Sequence, residues 1–191
     1  MIYWFLTGCF AWTLIEYGMH HWNGHLLKGR TRFSREHLKH HVTKDYFSPF
    51  YSKVLLALIV TGTITGLGSY IFGFLNAFGF GAGIASGYAF YEYIHWSTHM
   101  KAPRSAYGRW TRRHHFSHHF TDARYNHGVT TPIWDMVFGT YRPAARIKVP
   151  RKFALKWLVK EDGEIRSEFS PDYYLAGRRV NPGQVIVEQG T

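Results

Sequence analysis

Thirteen histidines stand in a chain of 191 residues, and ten of them fall into four short groups. His20 and His25 form the first. His37, His40 and His41 form the second, His95 and His99 the third, and His115, His118 and His119 the last. On a helix turning about 100° per residue, positions three and four apart share a face. The last three groups therefore each aim their rings in one direction. His20 and His25 fall about 140° apart on an undistorted helix, which predicts that they serve two metals or that the helix unwinds at Gly24. Imidazole is the commonest neutral protein ligand for iron, zinc and copper. Ten imidazoles exceed the needs of one ion, since a zinc site takes about four ligands. Two ions with about five nitrogens each is the economical reading. Two iron ions would supply electrons to cleave O2 beside an unactivated C–H bond, with zinc as a possible substitute because it binds such sites at least as tightly.

Carboxylates stand at matching intervals. Glu16 is four residues before His20, Glu92 three before His95, and Asp45 four after His41. Metal-bound histidines usually donate their other N–H to a carboxylate, carbonyl or water, so Glu16, Asp45 and Glu92 are expected to support the ligands from behind. Glu16 or Glu92 could instead bridge the two metals. His114 competes with His115 for the register of the last group, because it too lies four residues from His118. His127 is expected to be a non-ligand.

The elements that must position these residues are apolar helices. Residues 54–91 contain no Lys, Arg, Asp, Glu or His, and an uncharged run of that length reads as membrane-embedded. It is long enough for two passes, Val54–Phe72 and Phe80–Trp96, joined by a turn over Gly73–Gly79. The stretch from Ile2 to about His21 reaches the roughly 20 residues of a crossing. It lacks a basic leader and a small-residue cleavage site, so it is expected to be a retained helix. Lys28, Arg30, Arg32, Arg35, Lys39 and Lys44 follow the first helix, and Lys101, Arg104, Arg109, Arg112 and Arg113 follow the third. Both flanks should face the cytoplasm, with the uncharged turn opposite. Every histidine group falls on that cytoplasmic side. Gly79, Gly83 and Gly87, and separately Gly62 and Gly66, form small-residue stripes that let helices approach closely in lipid. The net charge of +11 suits an anionic leaflet; with no recognition motif beside it, nucleic acid is not the expected partner. Cys9 is the one cysteine, which excludes an intramolecular disulfide and a thiolate metal site. After Thr140 short apolar and charged stretches alternate, broken by Pro150, Pro171 and Pro182.

These residues resemble a family. Glu16 to His25 is similar to an HxxxxH box, His37–His41 to HxxHH, His95–His99 to HxxxH, and His115–His119 to a closing HxxHH. Gly128–Thr140, reading GVTTPIWDMVFGT, resembles the signature that follows the last box. The chain is identified as a member of the fatty acid hydroxylase/sterol desaturase superfamily over about residues 12–141. The resemblance implies an all-α, integral-membrane helical bundle with about three transmembrane helices and a cytosolic helical cap of histidine boxes. It also implies a diiron centre on His20, His25, His37, His40, His41, His95, His99, His115, His118 and His119. The expected organisation is a membrane catalytic domain over 1–141 and a cytosolic tail over 142–191. Members use O2 and externally supplied electrons to hydroxylate or desaturate membrane lipids. With no fused cytochrome b5 domain, the electron donor is expected to be a separate protein, cytochrome b5 or a ferredoxin with its reductase. The third box and the closing signature look closer to fatty acyl 2-hydroxylases than to carotenoid hydroxylases. Hydroxylation of a fatty acyl chain is therefore expected, with a sterol, hopanoid or carotenoid oxidase as the alternative. A histidine-rich metal-binding or metal-transport protein is the rival from another class. It should place ligands along a path near the bilayer midplane, where this sequence has none.

Overall fold

The computed structural model describes residues 1–43 and 45–177; Lys44, Pro182 and the end of the tail lie outside the described residues. Helix α1 (Ile2–Gly18) runs without a break into a π-helical segment, Met19–Leu26. A turn leads to α2 (Arg32–Val42), where the Thr31 hydroxyl accepts the Ser34 amide at 3.0 Å. This is the side-chain cap that satisfies a free amide of a first turn. The Ser34 hydroxyl donates to the Gly24 carbonyl at 2.8 Å and pins α2 against the π segment.

Helices α3 (Phe50–Phe72) and α4 (Phe74–Met100) form the hairpin. The expected seven-residue turn shrinks to Gly73 alone, whose φ of +76° is open to glycine at little cost. Gly79, which was assigned to the turn, lies inside α4. Helix α3 buries none of its residues, and Leu55, Leu58, Ile59 and Ile71 are all more than half exposed. At 1.5 Å per residue its 23 residues span about 35 Å, more than the roughly 30 Å of a bilayer core. Among the described residues it is the one helix long and apolar enough to cross a membrane by length and composition. The 17 residues of α1 span only about 26 Å. The 27 residues of α4 span about 40 Å, but its last turns carry Glu92, His95 and His99.

Helix α1 packs along α4 through glycines. A Cβ at Gly83 would run into the Phe5 carbonyl and the Cys9 amide, and one at Gly87 into the Trp12 ring. The Gly79/Gly83/Gly87 stripe thus works as anticipated. Gly62 and Gly66 do not: a Cβ at either meets nothing within 4 Å, because both border an open groove between α3 and α4 that Phe74, Phe78 and Ala82 also line.

Helix α5 (Ala106–Phe120) begins at Ser105, whose hydroxyl accepts the Gly108 amide at 3.0 Å. A short α6 (Ile133–Val137) follows the loop after it. The chain then adds what an all-α reading omits. Strands β1 (Ile147–Pro150) and β2 (Tyr173–Ala176) pair in parallel, Ile147 opposite Tyr173. Parallel pairing needs a long crossover, and four-residue strands that far apart leave no periodic signal. Ile147, Val149, Leu155, Trp157, Leu158, Phe169 and Tyr173 close a core over Phe116 of α5. Asp172 holds Arg109 at 2.5 Å and Arg113 at 3.4 Å. The described tail is therefore a lobe seated on the helix that carries the last histidine group.

Substitution at the two kinds of glycine should separate them. Gly83→Leu should lower the midpoint of thermal unfolding in detergent by the equivalent of about 3 kcal/mol, the upper end for overpacking, while Gly62→Leu should leave it unchanged. Equal midpoints for the two variants would refute the α1–α4 packing.

Candidate metal centre

The ten box histidines converge as two sets of five. One set is His20, His25, His37, His41 and His118; the other is His40, His95, His99, His115 and His119. In each set one nitrogen per ring lies within 4.8 Å of every other. Each HxxHH box is split between the two. His37 and His41 enter the first set and His40 the second, whereas His115 and His119 enter the second and His118 the first. One helix can do this because i and i+4 lie about 40° apart, while the intervening i+3 lies on their other side by about 60°.

His20 and His25 enter the same set, contrary to the expectation from an ideal helix. The helix does distort, but by widening from Met19 rather than unwinding at Gly24. A π-helical turn closes i to i+5, and this is the separation of His20 from His25.

The rings meet through Nε2. His25 lies 2.9 Å from His118 and 2.9 Å from His37; His41 lies 3.1 Å from His37 and 3.2 Å from His118; His20 lies 3.0 Å from His118. In the second set His40 meets His95 at 3.0 Å and His99 meets His115 at 2.9 Å. The Nε2 of His119 is buried with no hydrogen-bond partner among the described residues. The sets abut: the His41 and His119 rings stack with centroids 4.0 Å apart.

Backbone carbonyls decide where the protons are. Nδ1 of His118 donates to the Tyr125 carbonyl at 2.8 Å, Nδ1 of His40 to the Tyr46 carbonyl at 2.8 Å, and Nδ1 of His20 to the His127 carbonyl. With the proton on Nδ1, each of these three rings offers an Nε2 lone pair. Burial is the main force holding the rings neutral. It pushes His25 and His40 down to about 4, and His37, His41, His115, His118 and His119 well below the ordinary histidine range.

Clustered lone pairs at such distances repel unless a cation lies between them. Two nitrogens on one ion at about 2.1 Å each, at right angles, would stand about 3.0 Å apart, which is the spacing found. The donor set fits two metal ions with nitrogen ligands. No carboxylate belongs to either set among the described residues.

The supporting carboxylates do not sit behind these histidines. Glu16 accepts the Val129 and Thr130 amides at 2.6 and 2.8 Å and the Thr130 hydroxyl at 2.6 Å. Glu92 pairs with Lys53 at 2.5 Å. Asp45 is exposed beyond the end of α2 at Val42, so its four-residue interval from His41 is not helical. His20, expected to lean on Glu16, donates instead to a backbone carbonyl, as His40 and His118 do. His114 turns away from both sets to Asp135 at 3.2 Å, which leaves the register with His115. His127 lies outside both sets, its Nε2 2.8 Å from Nδ1 of His21. Sequence reasoning passed over Asp135, which is fully buried; it stood inside the Gly128–Thr140 signature with no charge pattern to distinguish it. It also took Arg112 as a flanking charge, whereas that guanidinium caps α4 through the carbonyls of Ser97 and Lys101 at 2.7 and 2.6 Å.

A helical hairpin joined to two imidazole pentads sets the class of the site, and comparison with known proteins places it. The chain belongs to the fatty acid hydroxylase family, whose profile matches residues 5–140. It is 28% identical over 147 residues to the ceramide very long chain fatty acid hydroxylase scs7 of Schizosaccharomyces pombe, covering 73% of this chain and 42% of that one. The counterpart of Saccharomyces cerevisiae is 30% identical over 145 residues, covering 72% of this chain and 37% of that one. Human fatty acid 2-hydroxylase is 26% identical, covering 73% and 39%. The chain thus spans less than half the length of these relatives. The solved structure of full-length scs7p, in which only the hydroxylase domain is visible, superposes with a TM-score of 0.60 at 27% identity. That match covers 75% of this chain and 56% of that one.

The depressed histidines give a signed pH dependence. His25 and His40 take up protons near 6.5 when unfolded but only near 4 when folded. Below 6.5 the unfolded state therefore binds more protons, and stability falls as pH drops. Metal-stripped protein in detergent should keep a constant unfolding midpoint above pH 7 and lose it progressively between 6.5 and 4. A flat profile through that window would show that the rings are not held neutral by burial.

Proposed function

We propose that this chain is a membrane-bound, O2-dependent lipid hydroxylase that acts on a fatty acyl chain at a dimetal centre, natively diiron. The observation that carries the reading is the pair of neutral imidazole pentads, abutting at one end of an apolar hairpin. The first would be held by His20, His25, His37, His41 and His118, the second by His40, His95, His99, His115 and His119. We read α1, α3 and α4 as three crossings, α1 being extended by its π segment, with the histidine cap and the tail lobe on the cytoplasmic side. The catalytic region is residues 1–141, and 142–191 forms the tail.

When bound, the two ions would bring the redox chemistry that reduces O2 with two electrons and two protons, placing one oxygen atom in a C–H bond and the other in water. The chain's own residues do the rest. The ten imidazoles bind, the carbonyls of Tyr46, Tyr125 and His127 hold protons on Nδ1, and the surrounding burial excludes water. The lipid arrives laterally, its tail along the hairpin and its reactive carbon at the cytoplasmic boundary where His95 and His99 emerge. The relatives' names, which specify fatty acid 2-hydroxylation and ceramide acyl chains, support oxidation close to the carboxyl or amide end. The electrons would come from a separate carrier, cytochrome b5 or a ferredoxin with its reductase.

Cysteine labelling tests the orientation: Arg32→Cys and Arg104→Cys should label from the cytoplasm, and Leu75→Cys from the opposite side. Labelling of position 75 from the cytoplasm would make the hairpin re-entrant. The activity is tested by mass spectrometry of lipids from cells expressing the chain with an electron donor. Acyl chains heavier by one oxygen are expected, and should vanish in His118→Ala. Unchanged acyl lipids beside an oxidised sterol, hopanoid or carotenoid would overturn the substrate class.

A further inference from the structure

Asp135 and Glu16 clamp a single loop from two sides. The Asp135 carboxylate accepts the amides of His127 and Gly128, each at 2.8 Å, and the Thr140 hydroxyl at 2.8 Å. Glu16 accepts the next two amides, those of Val129 and Thr130. A Cβ at Gly128 would press on the Thr131 carbonyl and on the Asp135 carboxylate, so glycine is what lets the carboxylate approach.

The consequence follows from the planarity of the peptide. In a trans peptide the carbonyl of one residue points opposite to the amide of the next, and no peptide bond among the described residues is cis. Holding the Gly128 amide therefore aims the His127 carbonyl, which receives Nδ1–H of His20. Likewise the Asn126 amide donates to the Thr140 carbonyl at 2.9 Å, which aims the Tyr125 carbonyl toward Nδ1–H of His118. Thr140 is itself fastened to Asp135 twice, by its hydroxyl and by its amide on the Asp135 carbonyl at 2.7 Å. Both aimed carbonyls serve one pentad. The other pentad takes its orienting carbonyl from Tyr46, in a different loop.

We propose that Asp135 is a positioning residue for the pentad of His20, His25, His37, His41 and His118 alone. It touches none of those rings. It fixes the two carbonyls that keep protons on Nδ1 of His20 and His118, so that their Nε2 lone pairs face inward. The two metal sites are thus oriented by separate loops and can be emptied separately. This inference rests on the dimetal reading above.

The test is zinc stoichiometry and affinity of the full chain in detergent, measured for wild type and for Asp135→Asn, which keeps the volume but presents a donor where amides must be accepted. Wild type should bind two ions. Asp135→Asn should bind one as before and the other at least tenfold more weakly, the scale expected for a lost supporting partner of a ligand. Adding His25→Ala should then weaken only the ion already weakened, while adding His99→Ala should weaken the ion that Asp135→Asn leaves at wild-type affinity. A merely structural role would weaken both ions together and would not distinguish the two backgrounds. Should Asp135→Asn fail to fold, Thr140→Val removes one of the same hydrogen bonds and should weaken the same ion. Two ions at wild-type affinity in the folded variant, or equal loss in both backgrounds, would overturn the inference alone. Fewer than two ions in wild type would overturn the dimetal reading and the inference with it.

Discussion

The structure depends on a choice of protonation: in each buried ring, which nitrogen carries the single proton. Ten imidazoles converge on two points with nitrogens near 3 Å apart, an arrangement that positive charge on the rings would burst. Burial removes that charge, and in His20, His40 and His118 backbone carbonyls assign the remaining proton. A carbonyl does this better than a carboxylate would. It accepts only, so it enforces Nδ1–H without adding charge, and its direction is set by the chain itself rather than by a flexible side chain. The orientation of these three rings is thereby inherited from the backbone at Tyr46 and at 125–127.

The same constraint explains why the helices are as they are. The first pentad takes rings from the segment after α1, from α2 and from α5, and the second from α2, α4 and α5. α1 and α4 must be close and in fixed register before the rings can meet. Close van der Waals packing provides that approach: at Gly83 and Gly87, α1 backbone and side chain fill the place of a Cβ. The π segment then corrects phase. An α-helix continued past Gly18 would turn His20 and His25 apart, and the wider turn brings both to one point. The tail lobe braces the far side: Trp157 donates from its indole to the His99 carbonyl at 3.1 Å, tying the last turn of α4 to the lobe on α5.

Much of this was legible in the residues. The boxes at i, i+3 and i+4 predicted rings on shared faces, the count of ten predicted two groups of about five nitrogens, and the uncharged run at 54–91 predicted a helical hairpin. The division of each HxxHH box between two sets was not legible, because ring facing within about 100° depends on where the partner helices lie. Glu16, Asp45 and Glu92 were misjudged for a related reason. Helical spacing shows which residues share a face, and it does not show that a carboxylate will prefer two backbone amides of a loop more than a hundred residues away, as Glu16 does with Val129 and Thr130. The parallel strands at 147–150 and 173–176 were invisible because each is four residues long and their pairing is non-local.

Charge is the remaining account to close. A divalent ion held by five neutral imidazoles would keep its whole charge, whereas carboxylate ligands would neutralise part of it. Such a charge is costly to bury unless oppositely charged groups lie within reach. Asp135, wholly buried, stands one loop away from the first pentad, with its charge spread over the amides of His127 and Gly128. That loop therefore serves two purposes at once. Its amides stabilise this buried carboxylate, and the carbonyls on its other side meet the rings, so negative charge is brought near the site without a carboxylate entering the coordination sets. An all-nitrogen site with its counter-charge one peptide layer away would keep every coordinating atom neutral.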